Sequence, residues 1–318
     1  MSLHLKSNLI IILGLHFSNP FAAWSISGGE SDFVVKFLFV FPDSTSQSLS
    51  LSQPQALAID PEGQIYVVDT GNHRLLKFDS SGNLVQSVGG FGWEREQFDR
   101  PLDVTVKSGL DLFIADYNNE RIERYDLKLN YLSSFYSNNS LSASMQFGFP
   151  GGVDISRHGE IFIVDNENNR ILKLNIEGEP DLSFGDFNWG EGQLLLPLKI
   201  EVTSGDQVYV SDQKANQVVV FDYYGNFVKR FGDDILQRPS GLSSTSEGLL
   251  FVVDSGHHQV AVFNKEHQLI FRWGSFGNKL GAFNNPVDVG IFKSKVYVLE
   301  SGNARVQVFG LSGNFEND

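Results

Sequence analysis

Charged residues recur at fixed distances after prolines in this sequence. Five of them stand two or four residues after such a proline: Asp103, Asp154, Lys199, Glu201 and Asp288. Four of the five are carboxylates, and hard cations such as Ca²⁺ prefer oxygen ligands. The set predicts either a small-ligand or cation site, or a hydrated group in which Lys199 neutralises carboxylates. Calcium is the one metal ion that the pattern suggests, and no cofactor is required.

A second set of acids lies at the ends of apolar runs. Its members are Asp69, Asp116, Asp165, Asp212, Asp254 and Glu300. In most copies an asparagine follows three residues later and an arginine five residues later, as with Asn72 and Arg74. A catalytic group is needed once, whereas a turn is needed in every copy. We therefore interpret these residues as turn caps, with the arginine pairing with an acid across units.

The elements that position both sets form a repeat. The second set of acids recurs every 42 to 49 residues, which is a period typical of propeller blades. Each unit contains a proline with a short strand, a hairpin around the acid, and in most units a fourth run such as Asn226–Gly232. Four strands per unit predict an all-β fold of propeller blades. The first strands would line a central channel, with the five charges at its mouth on the face that carries the hairpin turns.

On these residues the chain resembles the NHL-repeat family. The pattern of proline, short strand, apolar run ending in Asp, Asn-x-Arg-Ile and Phe-Gly is matched best by residues 54–89 and 150–185. The resemblance implies a six-bladed β-propeller over residues 53–310. The units around Ala215 and His257 depart from the Asn-x-Arg pattern.

The ring needs a closing strand, because the sixth unit supplies only three strands before the polar tail at residues 311–318. The apolar run Asp32–Val40 has no hairpin before it. We expect this run, within residues 26–52, to complete the last blade and to leave a serine-rich linker to the first one. Closure would also remove two exposed strand edges.

Residues 1–25 are typical of a secretory signal peptide, with Lys6, an apolar stretch and small residues at Ala23 and Ser25. We therefore expect an exported protein, periplasmic or extracellular, with no transmembrane span after signal removal; an uncleaved anchor is the alternative. The chain contains no cysteine, which excludes disulfides and thiolate metal sites.

A formal net charge of -14 argues against nucleic acid as a partner. Aromatic residues in the predicted inter-blade loops and turns suggest a protein, peptide or glycan partner instead. The candidates are Trp93, Trp189, Trp273, Tyr117 and His257. Clasping adjacent blades is the other role open to the tryptophans.

We predict a monomeric, non-catalytic binding or scaffold propeller that uses the hairpin-turn face. The alternative is a divalent-cation-dependent hydrolase or lyase with its site at the channel mouth. Among NHL-like enzymes the amidating lyase is a zinc propeller, and the resemblance would place its metal-binding histidines directly after the prolines. Here those positions hold Gln55, Leu102, Gly151, Leu198, Ser240 and Val287.

Overall fold

A computed structural model describes residues 23–26, 33–42, 49–107 and 109–313. In these residues there are six antiparallel sheets, and the first five have their strands in sequence order from the centre outwards. The first five blades have four strands each. They are blade 1, β3 (Ala56–Ile59), β4 (Ile65–Asp69), β5 (Arg74–Phe78) and β6 (Leu84–Gly89); blade 2, β7 (Pro101–Thr105), β8 (Asp111–Asp116), β9 (Arg121–Asp126) and β10 (Tyr131–Tyr136); blade 3, β11 (Pro150–Ile155), β12 (Ile161–Asp165), β13 (Arg170–Leu174) and β14 (Pro180–Phe184); blade 4, β15 (Pro197–Val202), β16 (Val208–Asp212), β17 (Gln217–Phe221) and β18 (Phe227–Phe231); and blade 5, β19 (Pro239–Ser244), β20 (Leu250–Asp254), β21 (Gln259–Phe263) and β22 (Leu269–Trp273).

Blade 6 combines both ends of the described chain. Its strands, from the centre outwards, are β23 (Pro286–Phe292), β24 (Lys295–Glu300), β25 (Arg305–Gly313), β2 (Phe33–Phe41) and β1 (Ala23–Ile26). Strand β2 pairs with β25 in register from Phe33 opposite Gly313 to Phe41 opposite Val306. The predicted six-bladed all-β propeller and its closure by an N-terminal strand are therefore confirmed.

The extra strand β1 was not predicted. It pairs with β2 along its whole length and adds a fifth strand to blade 6. Ala23 and Ser25, the small residues of the predicted signal peptide, belong to this strand. The rest of the predicted signal segment, residues 1–22, and most of the tail, residues 314–318, lie outside the described residues.

The core is divided among the blade interfaces. Six apolar clusters each join residues of two adjacent blades. The cluster between blades 6 and 1 shows the pattern, with Phe41 from the closing strand packed 5.1 Å from Phe78, measured between ring centroids. Because both faces of a blade are covered, the second strands are buried almost throughout rather than at alternate residues.

The strand order defines two faces of the ring. All first strands begin on one face, which also receives the turns between second and third strands and the loops that join the blades. We call this the hairpin face. The opposite face carries the turns between first and second strands and between third and fourth strands.

Candidate functional site

Three charged side chains form a layer across the channel, at the second residue after their prolines. The Lys199 ammonium donates a hydrogen bond to Asp103 Oδ1, and its Nζ lies 3.3 Å from Asp288 Oδ2. All three side chains are buried. They come from blades 2, 4 and 6, so every second blade contributes one charge to this central layer.

A second layer lies further along the first strands and contains an unpredicted lysine. Lys107 Nζ is 2.5 Å from Asp154 Oδ2 and 2.8 Å from Glu201 Oε2. Its side chain is 37% exposed, because Lys107 follows the end of β7 and reaches the channel from the opposite face. The predicted set of charges ended at the fourth residue after each proline and so did not include Lys107, the sixth residue after Pro101.

The carboxylates of both layers also join adjacent blades. First strands of neighbouring blades belong to separate sheets and share no hydrogen-bonded ladder. Instead, each acid accepts a backbone N–H from the first strand of the next blade. The pairs are Asp103 with Val153 at 2.9 Å, Asp154 with Val202 at 2.7 Å, Glu201 with Ser244 at 3.2 Å and Asp288 with Leu57 at 2.9 Å. These bonds give the channel acids a structural role, since they satisfy buried polar groups.

Burial raises the pKa of three carboxyl groups in the two layers. It raises the pKa of Asp103 to about 6, although the positive charge of Lys199 acts in the other direction. Burial likewise raises the pKa of Asp288 and of Glu201. For Lys199, burial alone would lower the pKa, but the charges of Asp103 and Asp288 outweigh it and the pKa is raised. The lysines therefore stay charged at neutral pH.

The central layer separates two cavities. One, of about 170 Å³, contains the four acids and both lysines and is lined by the later part of the first strands, including Lys107 and Ser244. The other, of about 160 Å³, lies at the start of the first strands and shares only Lys199 with the first cavity. We call them the acid cavity and the hairpin-face pocket.

The acid cavity corrects one prediction. The sequence analysis placed the charges at the channel mouth on the hairpin face, whereas Asp154, Glu201 and Lys107 lie toward the opposite face. The reason is strand direction: successive inward positions advance by about 6.6 Å along a first strand, away from the hairpin face. The ammonium groups also sit between the carboxylates, which leaves a poor set of ligands for a cation. Among the described residues no cluster of three or more His, Asp or Glu side chains is arranged to hold a metal ion.

The hairpin acids act within their own blades. Asp69 Oδ2 accepts hydrogen bonds from Asn72 at 2.8 Å and from Arg74 Nε at 2.7 Å, and Asp69 Oδ1 accepts the N–H of Ser52 at 2.6 Å. The acid thereby ties the turn to the loop that precedes its blade. The equivalent acids bond the backbone N–H of Asp99, Gly148, Leu195, Gln237 and Asn284. The structural interpretation holds, but the arginine pairs inside the blade and not across blades.

Exposed aromatic side chains gather on three inter-blade loops of the hairpin face. Trp93 is 72% exposed and Phe187 is 76% exposed, and Phe91 and Phe276 are exposed to a similar degree. These loops lie between blades 1 and 2, blades 3 and 4, and blades 5 and 6, so they alternate around the ring. Phe91 packs 5.1 Å from His73 and Phe276 packs 4.9 Å from His258, between ring centroids. The three phenylalanines were absent from the predicted partner-binding residues, although each stands in a glycine-rich loop.

The other predicted partner-binding residues have different environments. Trp273 is only 2% exposed, because it packs edge-on against Phe309 between blades 5 and 6. Its assignment to an exposed surface is therefore wrong. Trp189 is half-buried and donates a hydrogen bond to the Gly225 carbonyl at 3.1 Å, which clasps adjacent blades.

Tyr117 is half-buried and lies under Arg100, whose guanidinium is 4.9 Å from the ring centroid. His257 is exposed, with Nδ1 located 2.7 Å from Asp254 Oδ2. Both residues lie on turns of the hairpin face, but only His257 is exposed. In the described part of the chain, no helix has the length and apolar character needed to cross a membrane.

Comparison with known proteins finds NHL repeats at residues 51–78, 147–174 and 236–263. Protein brain tumor of Drosophila melanogaster is 30% identical over 131 residues, which cover 41% of this chain and 13% of that protein. E3 ubiquitin-protein ligase NHLRC1 of Rattus norvegicus is 24% identical over 279 residues, which cover 67% of each chain.

Among solved structures, a gluconolactonase from Xanthomonas campestris matches with a TM-score of 0.63 at 14% identity, over 88% of this chain and 90% of that one. At this identity the likeness concerns the fold alone. This chain also spans only 13% of the length of protein brain tumor.

Proposed function

Because this chain is an NHL-repeat six-bladed β-propeller, we propose that it acts as a non-catalytic binding module that recognises a protein or peptide partner through its hairpin face. The observation that carries the proposal is the exposure of Phe91, Trp93, Phe187 and Phe276 on alternating inter-blade loops of that one face. Large exposed apolar side chains grouped on one surface are typical of interaction sites. In the same proposal the protein works outside the cytoplasm, a point that rests on the sequence of residues 1–25.

The channel chemistry supports a binding role over a catalytic one. A catalytic acid or base must be free to exchange a proton with a substrate, but the channel carboxylates hold backbone N–H groups and lysine ammoniums. Asp154, for example, accepts bonds from Thr105 Oγ1 at 2.7 Å, the Val202 N–H at 2.7 Å and Lys107 Nζ at 2.5 Å. Three of the roughly four acceptor positions of this carboxylate are therefore already occupied.

A peptide-display selection against the full chain tests the proposal. Peptides enriched on the native protein should bind a Phe91→Ser/Trp93→Ser/Phe276→Ser variant about tenfold more weakly or worse. The matched control is Leu110→Ser/Ile176→Ser, which removes exposed apolar side chains from the opposite face and should leave binding unchanged. Failure to enrich any peptide, or equal loss in both variants at unchanged melting temperature, would refute this role for the hairpin face.

A cation-dependent hydrolase or lyase is the second candidate, and one observation favours it. The acid cavity holds four carboxylates but only two lysines, which leaves a formal excess of negative charge if all are ionised. Thermal unfolding with millimolar Ca²⁺ or Mn²⁺ separates the candidates, because an ion bound only by the folded form raises the melting temperature. We expect no shift, since both ammoniums occupy the spaces between the acids. A shift that Asp154→Asn abolishes would favour the enzyme.

A further inference from the structure

The hairpin-face pocket lies at the centre of the face proposed to bind a partner. Its wall contains the first residue after the proline in every blade: Gln55, Leu102, Gly151, Leu198, Ser240 and Val287. Gln213, Ser255, Asn285 and Arg238 complete the wall, and Lys199 forms the floor. The pocket thus combines a polar side with apolar surface from two leucines and a valine.

Four polar side chains of this pocket have no partner among the described residues. Gln55, Gln213, Arg238 and Asn285 make no side-chain hydrogen bond or ion pair with any other described residue. Ser240 and Ser255 bond only to each other, at 2.8 Å between hydroxyl oxygens. In the acid cavity, by contrast, every charged group has a partner within the protein. Unused donors and acceptors that converge on one cavity are typical of a binding site.

The charge of the pocket is unusual for this chain. The protein has a net charge of -14, yet no Asp or Glu lines the pocket, whereas two cations do. Asp103 and Asp288 line the acid cavity and hold the Lys199 ammonium, so Arg238 is the cation of this wall that has no partner among the described residues. Asp233 and Asp234, in the same loop as Arg238, are exposed and do not contribute to the wall.

We propose that the hairpin-face pocket binds the carboxylate of a glutamate or aspartate side chain of a partner peptide, with Arg238 as its charged partner. The inference rests on the proposed function and names the chemistry that the partner must present. A planar guanidinium can hold a carboxylate through two parallel hydrogen bonds. The amides of Gln55, Gln213 and Asn285 supply further donors, and Leu102, Leu198 and Val287 cover the methylene groups of the side chain.

An acidic side chain fits better than a chain terminus for a geometric reason. The loops that carry Phe91, Phe187 and Phe276 lead directly into first strands whose first residues line the pocket. A peptide that crosses the face can insert one side chain while its neighbours contact these rings. A C-terminal carboxylate would have to enter end-on and would leave the rings on one side unused.

Isothermal titration of the full chain with three probes tests the pocket. The probes are glutarate, a short capped peptide with one internal glutamate, and its glutamine counterpart. The native protein should bind the first two and not the third. Arg238→Gln should weaken glutarate binding by at least about tenfold, as expected for loss of a hydrogen bond to a charged group. Lys214→Gln, an exposed cation on the same face but outside the pocket, is the matched control and should change it less than about twofold.

The Gln213→Glu variant tests whether the pocket prefers anions or cations. This near-isosteric change puts a carboxylate in the wall and should abolish glutarate binding. If a short alkyl diamine binds instead, and binds more tightly to Gln213→Glu, the pocket selects cations and the proposal is overturned. Equal binding of the glutamate and glutamine peptides, or an Arg238→Gln variant with native affinity, would also overturn it. A peptide that binds only when its C-terminus is free would also overturn the proposal, because a terminal carboxylate and not an acidic side chain would then occupy the pocket.

The outcome is separable from that of the proposed function. The pocket can bind glutarate even if display selection yields no peptide, and peptides can depend on Phe91 and Trp93 without any response to Arg238→Gln. If peptides depend on Phe91 and Trp93 but bind Arg238→Gln normally, the carboxylate site is refuted and the proposed binding role of the hairpin face is kept.

Discussion

The two ends of the channel contain similar residue types, but these residues have different roles. In the acid cavity, Asp154 and Glu201 are matched by Lys107, and each acid also holds a backbone N–H of the next blade. In the hairpin-face pocket, Arg238 and three amide side chains have no partner among the described residues. One set is part of the joint between blades, and the other is free for a ligand.

This comparison shows that the most conspicuous charges in a propeller sequence can be structural. A buried charge cluster draws attention in the sequence, because charge in a core is costly unless paired. Here that cost is met by pairing and by backbone bonds, so the conspicuous residues are structural. The hairpin-face pocket is lined by polar residues that do not stand out in the sequence. Its proposed preference for a carboxylate depends on the absence of Asp and Glu from its wall.

Removal of the central lysine should have the largest effect. Lys199→Met leaves Asp103 and Asp288 buried without their shared cation, and loss of one partner of a buried ion pair typically costs about 3–5 kcal/mol. Chemical denaturation at pH 7 measures the loss. Lys214→Met, an exposed lysine of the same blade, should change the free energy of unfolding by less than about 0.5 kcal/mol. Equal midpoints for the two variants would mean that the central layer does not stabilise the ring.

A smaller effect is expected from pH. The pKa of Asp103 is raised from 3.8 to about 6 in the folded protein, so between these values the folded form keeps a proton that the unfolded chain has lost. The free energy of unfolding should therefore fall by roughly 1–3 kcal/mol as pH rises from about 4 to 6. Burial of Glu201 and Asp288 acts in the same direction.

Asp103→Asn provides the check on this slope. The variant lacks the titrating group and retains Asp288 as a partner of Lys199, so its stability should depend less on pH in this window. A native slope in Asp103→Asn would assign the pH dependence to other acids. The same measurement in Lys199→Met should show a steeper slope, because Asp103 then lacks the positive charge that favours its ionised form.

The sequence predicted the fold in detail because each blade repeats the same signals. Proline, the apolar run, the acid and the turn recur six times, and the run Asp32–Val40 has no hairpin of its own. Pairing of β2 with β25 follows from these facts alone. Strand β1 was not predicted, because it has only four residues and most of them belong to the segment that resembles a signal peptide.

The candidate site was less predictable, since it depends on distances between blades. The central layer joins Asp103, Lys199 and Asp288 across the ring, and nothing in the local sequence indicates which charge meets which. Trp273 shows the same limit: it ends a strand in an aromatic-glycine pair as an exposed residue could, yet it packs against Phe309 from the next blade. The residue Lys107 was within reach, because an inward position two residues past Thr105 is predicted by strand alternation.

The smallest expected effects are changes in the free energy of unfolding at the hairpin-face pocket, which we compare with a change in the acid cavity. Arg238→Gln and Gln213→Leu remove side chains without partners, so each should change the free energy of unfolding by less than about 0.5 kcal/mol. Lys107→Gln, which removes a cation bound to Asp154 and Glu201, should be measurably less stable than either. Parallel denaturation curves at one pH compare the three. If Arg238→Gln proves as destabilising as Lys107→Gln, Arg238 is a structural residue, and the pocket loses the free charge on which carboxylate binding depends.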